Sequence, residues 1–398
     1  MKNRIVEQTK RVRDEAIPLC VPEIRGNEWK YVRECLDSGW VSSVGSYVNA
    51  FEEVVAAASG VPYAVATVNG TAALHIALLC AGVEPGDEVL VSALSFIAPA
   101  NAIRYVGAYP IFIDAEEAYW QLDPTLVERF LEDGCRIEGD TVRNKLTGRR
   151  VRAILPVDVL GHSADLDAIV RLARRFELKV IEDATESLGA SYNGEPCGVR
   201  ADVACLSFNG NKLITTGGGG MLVTADAEVA RRARYLTTQA KDDPIEYVHG
   251  KIGFNYRLTN VQAAIGVAQM ENMSSYVEAK RANAARYTAS LSGIRGLKVM
   301  AEAPWTRSTF WLYTVLIDEK KFGCSSRALL RHLAERKIQA RPLWQPLHRS
   351  PAHAGQQHVG GDVAERLYRD ALSLPSSVGL ATADLDYVAS TIREAALQ

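Results

Sequence analysis

The chain has 398 residues, 45 Lys+Arg against 47 Asp+Glu for a formal charge of −2, and an apolar fraction of 47%. At roughly 150 residues per domain this length predicts two or three domains with a core that needs no staples, which excludes disulfide scaffolds, fibrous repeats and disordered tails. The balanced charge argues against nucleic acid as a main partner, because phosphate binding needs a basic face.

The N-terminal run MKNRIVEQTKRVRDE is charged throughout and lacks an apolar signal segment, and later apolar runs are too short for a membrane span. Neither secretion nor membrane insertion is expected. Cys20, Cys35, Cys80, Cys135, Cys197, Cys205 and Cys324 form no CxxC pair and are odd in number. They read as reduced core thiols of a cytoplasmic protein.

Short apolar stretches alternate with amphipathic helical patterns over the first two-thirds of the chain, predicting βαβ units and an α/β fold with a mostly parallel central sheet flanked by helices. In VATVNGTAALHIALLCAG (65–82) a strand leads through a turn at Asn69-Gly70 into a helix from Thr71. Such a helix start offers free N–H groups and partial positive charge to a phosphate, although the spacing matches neither GxGxxG nor the P-loop and the turn could simply begin a helix. VLVSALSFIAPAN ends another strand near Phe96, a ring able to stack on a flat ligand or to fill core. The polar run at residues 134–151 carries two turn signals and predicts a hairpin or loop.

RAILPV then reads as a buried strand, Asp165 caps a helix with Leu166, Ile169, Val170 and Ala173 on one face, and LKVIED returns as a strand ending at Asp183. Ligands of open α/β sheets collect at such strand ends, while a turn or cap role is the plainer alternative for that aspartate. In VACLSFNGNKLITTGGGGMLVT (203–224) a strand ends at Ser207, Lys212 follows five residues later, and Gly217 to Gly220 open the next strand. Those glycines permit a tight turn beside something bulky or a flexible one. From about residue 262 a long helix-prone stretch leads into mixed elements. The expected division is an N-terminal extension (1–19), a large domain (20–262) and a smaller α+β domain (263–398), without a Gly/Ser linker between them.

One chemistry needs these pieces together. Pyridoxal phosphate requires an amine for its aldehyde, a carboxylate at its pyridine nitrogen and a phosphate cradle. Lys212, Asp183 and the set Gly70, Thr71 and Ser207 supply them, with Phe96 over the ring.

NGTAALHIAL, SFIAPANAI, IEDATESLGA, SFNGNK, TTGGGGM and GFNYRLTNVQAAIG together resemble the DegT/StrS family of nucleotide-sugar aminotransferases over nearly the whole chain. The resemblance implies the aspartate-aminotransferase fold (fold type I), pyridoxal 5′-phosphate as cofactor and a homodimer with shared active sites. It implies Lys212 as the covalent anchor, Asp183 as pyridinium partner and Glu186 near the phenolic oxygen. Ser207, Gly70 and Thr71 would hold the phosphate, joined by Asn255 of the neighbouring subunit. GNEWKYVRECLDSGWVSSVG, NKLTGRR, LTTQAKDDPIEYVH and ARPLWQPLH are similar to enzymes of legionaminic-acid and bacillosamine biosynthesis. The implied reaction aminates C4 of an NDP-2-acetamido-2,6-dideoxy-4-keto-hexose, the nucleotide being UDP or GDP, with L-glutamate as donor. Trp40, Ser42, Ser43, Lys241, Arg257, Trp344 and His348 are the implied sugar contacts, with surface or interface packing as the alternative for each.

Asp158 departs from the family's usual histidine, a change that alters either substrate fit or only a structural hydrogen bond. Lysine rather than histidine at position 212 favours transamination over sugar dehydration. A 3-keto-sugar aminotransferase, a sugar dehydratase and a non-catalytic sensor are the alternatives. The spacing of His348, His353 and His358 does not stack them on a helical face, and no metal site is expected.

Overall fold

The computed structural model describes residues 15–243 and 245–396. Most of the 1–19 extension, and all of the charged N-terminal run but its last residue, therefore lie outside the described residues.

Eight strands form the main sheet: β1 (Tyr63–Thr67), β2 (Glu88–Ser92), β3 (Tyr109–Ile113), β4 (Val151–Leu155), β5 (Lys179–Asp183), β6 (Val203–Ser207), β7 (Gly220–Thr224) and β8 (His358–Val359). Their spatial order is β1-β7-β6-β5-β4-β2-β3-β8. Only β7 runs against its neighbours, pairing antiparallel with β1 and β6, while the other pairs are parallel. The strands read as continuous apolar runs because both sheet faces are covered. On β1, Val65 enters one core cluster with Ala73, Ile76 and Ile103, while Ala64 and Ala66 enter another with Phe51 and Phe208.

The helix predicted after RAILPV spans Leu166–Arg175 and is capped by Asp165, whose carboxylate accepts from Ala168 N. Leu166, Ile169 and Ala173 are buried as expected, with Leu172 added, whereas Val170 is only half-buried. The 134–151 segment contains a hairpin, Cys135–Glu138 paired with Thr141–Asn144. The helix-prone stretch after residue 260 is two helices, Asn260–Met270 and Met273–Leu291.

The C-terminal part builds a three-stranded antiparallel sheet from Leu297–Val299, Thr314–Ile317 and Ala371–Ser373. Leu291, Val315, Leu333, Val388 and Ile392 form its core. We keep a division near residue 262 as a proposal, and two segments cross it. Ile17 bridges to Ile338 within the C-terminal core, and β8 adds to the edge of the main sheet. Among the described residues no helix is long and apolar enough to cross a membrane.

Candidate active site

The parallel strands end on one side of the sheet, where ligands of open α/β folds collect. A cavity of about 390 Å³ lies there, lined by residues that follow β1, β2, β4, β5 and β6, with Trp311 and Trp344 from the C-terminal part. It gathers Gly70, Thr71, Phe96, Asp183, Glu186, Ser207, Lys212 and Trp344 from the predicted set.

The phosphate end is built by close packing. After β1, Asn69 caps the helix Gly70–Cys80, its side chain accepting from Ala72 N at 2.8 Å. The first-turn N–H groups have no intrahelical acceptor, so the Gly70-Thr71 end presents donors and positive potential to the cavity. Gly220 lies against this turn, and a Cβ there would stand 2.4 Å from the Asn69 carbonyl. Gly217 has φ +77°. The four glycines therefore serve one left-handed turn and one close backbone approach, and are not simply flexible. Ser207, at the end of β6, completes this wall.

At the other end stand the ionisable groups. Asp183 ends β5 and accepts from Thr185 N at 3.1 Å. Burial pushes its carboxyl up, opposed by the Thr185 hydrogen bonds and then by the Lys212 charge. Glu186 follows on the next turn. Its Oε2 accepts from Leu160 N at 2.8 Å and its Oε1 lies 3.4 Å from Lys212 Nζ. Burial pushes Glu186 up as well, and Lys212 is the main opposing influence. Lys212 Nζ also sits 4.0 Å from the centroid of the Trp311 ring.

This donor set fits pyridoxal phosphate. A buried carboxylate raised by desolvation returns to its ionised form when a cation faces it, as a ring N–H⁺ does, and the N–H and hydroxyl groups suit a dianion.

The residue profile of the DegT/DnrJ/EryC1/StrS aminotransferase family matches residues 22–393. The chain belongs to this family. The aminotransferase is 40% identical over 364 residues to a Bacillus subtilis (strain 168) protein, EpsN, whose name describes a pyridoxal phosphate-dependent aminotransferase; the match covers 90% of each chain. It is 38% identical to a GDP-perosamine synthase of Caulobacter vibrioides, covering 94% of this chain and 97% of that one. The crystal structure of DesV from S. venezuelae superimposes with a TM-score of 0.84 at 33% identity, covering 94% and 95%. The protein is a pyridoxal-phosphate-dependent nucleotide-sugar aminotransferase with the fold of that class.

Several predicted contacts lie elsewhere in the single chain. Trp40, Ser42 and Ser43 are pinned to the first residue of the helix Asn260–Met270 and to the segment before it. Asn260 Nδ2 donates to Trp40 O at 2.7 Å, Asn260 N to Ser42 O at 2.6 Å, and Arg257 Nε to Ser43 O at 3.0 Å. Asn255 is exposed and pairs with Thr238, and Lys241 Nζ lies 4.6 Å from the centroid of the Tyr247 ring. His348 turns into the protein, with Nε2 3.2 Å from Glu365 Oε1 and its ring stacked on His358 at 4.9 Å. Its placement gives no support to a sugar contact.

Asp158 is fully buried and outside the cavity lining, accepting from Ala164 N at 3.0 Å and from the Ser187 hydroxyl at 2.7 Å. Asp158 therefore belongs to a buried hydrogen-bond set behind the cavity. His353 Nε2 contacts Asn101 Oδ1, so the three histidines do not converge. Donor atoms of Asp158, Glu182 and Cys197 do lie within 4.8 Å of one another, wholly buried. Burial raises the pKa of all three, which opposes the ionised forms that a metal ligand needs.

Trp311, Thr185 and Asn211 carry no expectation in the sequence, and Asn69 was read as a turn but not as the helix cap. Asn69 was findable, since an Asn before a helix start is an ordinary cap. Trp311 had no signal, because it approaches Lys212 from about a hundred residues away.

Proposed function

We propose that this aminotransferase moves the amino group of L-glutamate to C4 of an NDP-2-acetamido-2,6-dideoxy-4-keto-hexose, working in the cytoplasm as a homodimer in glycan assembly. The observation that carries the transamination is the convergence of Lys212, Asp183 and Glu186 on one cavity floored by the Gly70-Thr71 helix end. The sugar follows from the resemblance to the legionaminic-acid and bacillosamine branch. GDP-perosamine synthase relatives favour GDP as its nucleotide.

When bound, pyridoxal phosphate supplies an aldehyde and an electron-accepting ring. Lys212 Nζ would anchor it covalently and, as the free neutral amine, would take the α-proton of glutamate. Glu186 Oε1 keeps that ammonium within reach. In the second half of the exchange the same side chain, as its ammonium, would give a proton to C4 of the sugar and return to the neutral amine. Asp183 would hold positive charge at the ring nitrogen, and Phe96, half-exposed, would cover the ring face. Gly70, Thr71 and Ser207 hold the phosphate, with Asn255 of the partner subunit. Trp40, Ser42, Ser43, Lys241 and Arg257 contribute to sugar binding only through the dimer.

Incubating the enzyme and glutamate with UDP- and GDP-linked 4-keto sugars, then identifying products by mass and NMR, tests this reading. A 4-amino sugar from one nucleotide class is expected. Amination at C3, or none with either class, rejects it.

A further inference from the structure

We propose that Trp311 is a positioning residue for the Lys212 amine, acting through both its ring face and its indole N–H. This rests on the transamination reading above.

The indole holds Lys212 at two points. Its face lies 4.0 Å from Nζ, and its Nε1 donates to the carbonyl of Asn211, the residue before the lysine, at 2.8 Å. The contacts close into a circuit. Lys212 Nζ meets Glu186 Oε1 at 3.4 Å, Glu186 Oε2 accepts from Leu160 N at 2.8 Å, and Leu160 O accepts from Trp311 N at 3.0 Å. Leu160 has φ 63°, a left-handed conformation that costs a leucine about 1 kcal/mol or more. Its two hydrogen bonds hold it there, one to the carboxylate and one to the tryptophan.

Trp311 is fixed from behind. It is only 4% exposed, and its carbonyl accepts at 2.7 Å from the buried Lys280 Nζ, which also donates to Ser376 O. The ring therefore cannot follow a moving lysine.

This arrangement solves a problem that the reaction creates. A freed lysine side chain has about 2 kcal/mol of rotamer entropy with which to swing away. A π face on one side and a carboxylate on the other keep the side chain aimed at the donor, and hold it most firmly as the ammonium formed once the neutral amine has taken the proton. The amine stays where the α-proton of the donor arrives.

The test uses wild type, Trp311→Leu and Trp311→Phe. One arm follows capture of pyridoxal phosphate by apoprotein through the visible band; the other follows fading of that band with glutamate and α-deuterated glutamate. Trp311→Leu should slow capture and fading by about tenfold. Its deuterium isotope effect should rise, because proton transfer limits more of the rate, with KM for glutamate within about twofold of wild type. Trp311→Phe keeps the ring face and most of the core volume, so it should recover capture to within about threefold. A merely structural residue would lower the active fraction and leave the isotope effect and capture rate of the remainder unchanged, which overturns the proposal. If the wild-type band does not fade with glutamate, the transamination reading fails, and the capture arm alone then decides the role of Trp311.

Discussion

Glu182 and Asp183 are neighbours on β5, and strand alternation sends them to opposite faces of the sheet. Both are carboxylates with almost no exposure, and burial is the largest influence raising each. Their surroundings differ in sign. Asp183 opens on a cavity shared with Lys212, whose charge favours its ionised form. Glu182 faces Asp158, whose charge raises it further, while both its oxygens accept from Gly198 N at 3.1 and 3.0 Å. The first arrangement is a charged group waiting for a cation. The second is a buried carboxyl held towards its protonated form by a neighbouring carboxylate, a structural bolt behind the active strand. Burial of an acid thus does not mark function by itself; the neighbouring charge and access to a cavity do.

The comparison breaks most visibly on the cavity face. Lys212→Ala should lower turnover by at least on the order of a thousandfold, since it removes both covalent anchor and general base. Thermal unfolding of that variant should stay near wild type; a large loss of folded protein would make Lys212 a structural cation. Asp183→Asn should cost about a hundredfold or more in kcat without a comparable loss of stability, because it removes a charge aimed at the reacting ring.

Behind the strand the same chemistry gives the opposite readout. Asp158→Ala leaves Ser187, Ala164 N and Glu182 without their partner and should cost about 3 kcal/mol in urea unfolding. Glu182→Gln replaces a protonated carboxyl with an amide able to make the same donation, so its cost should stay below about 1 kcal/mol. That pair also sharpens the sign of the pH dependence. A carboxyl raised above its unfolded value of about 4.3 contributes most when protonated, and the contribution fades as pH rises through the folded value. Wild-type stability relative to Glu182→Gln should therefore increase as the pH falls from 7 toward 4.5, by at most about 1.4 kcal/mol per pH unit. A flat difference rejects a protonated Glu182.

What the sequence revealed follows the same divide. Lys212, Asp183, Ser207 and the Asn69-Gly70 turn were legible because a βαβ chain places strand ends and helix starts on one side, so local motifs converge without further information. Glu186 was legible only through resemblance. The Asp158 departure was visible but not its meaning, since Glu182 and Ser187 reach it from another strand end. Trp311 was invisible for the same reason, its contact with Lys212 being set by docking of the C-terminal part. The sugar contacts at Trp40, Ser42, Ser43, Lys241 and Arg257 are not assembled at the cavity within one chain.

Borohydride reduction of the yellow holoenzyme, followed by digestion and peptide mass spectrometry, tests the central claim most directly. The account predicts a single pyridoxyl adduct on the peptide carrying Lys212. An adduct on Lys280 or any other lysine, with Lys212 unmodified, would contradict it.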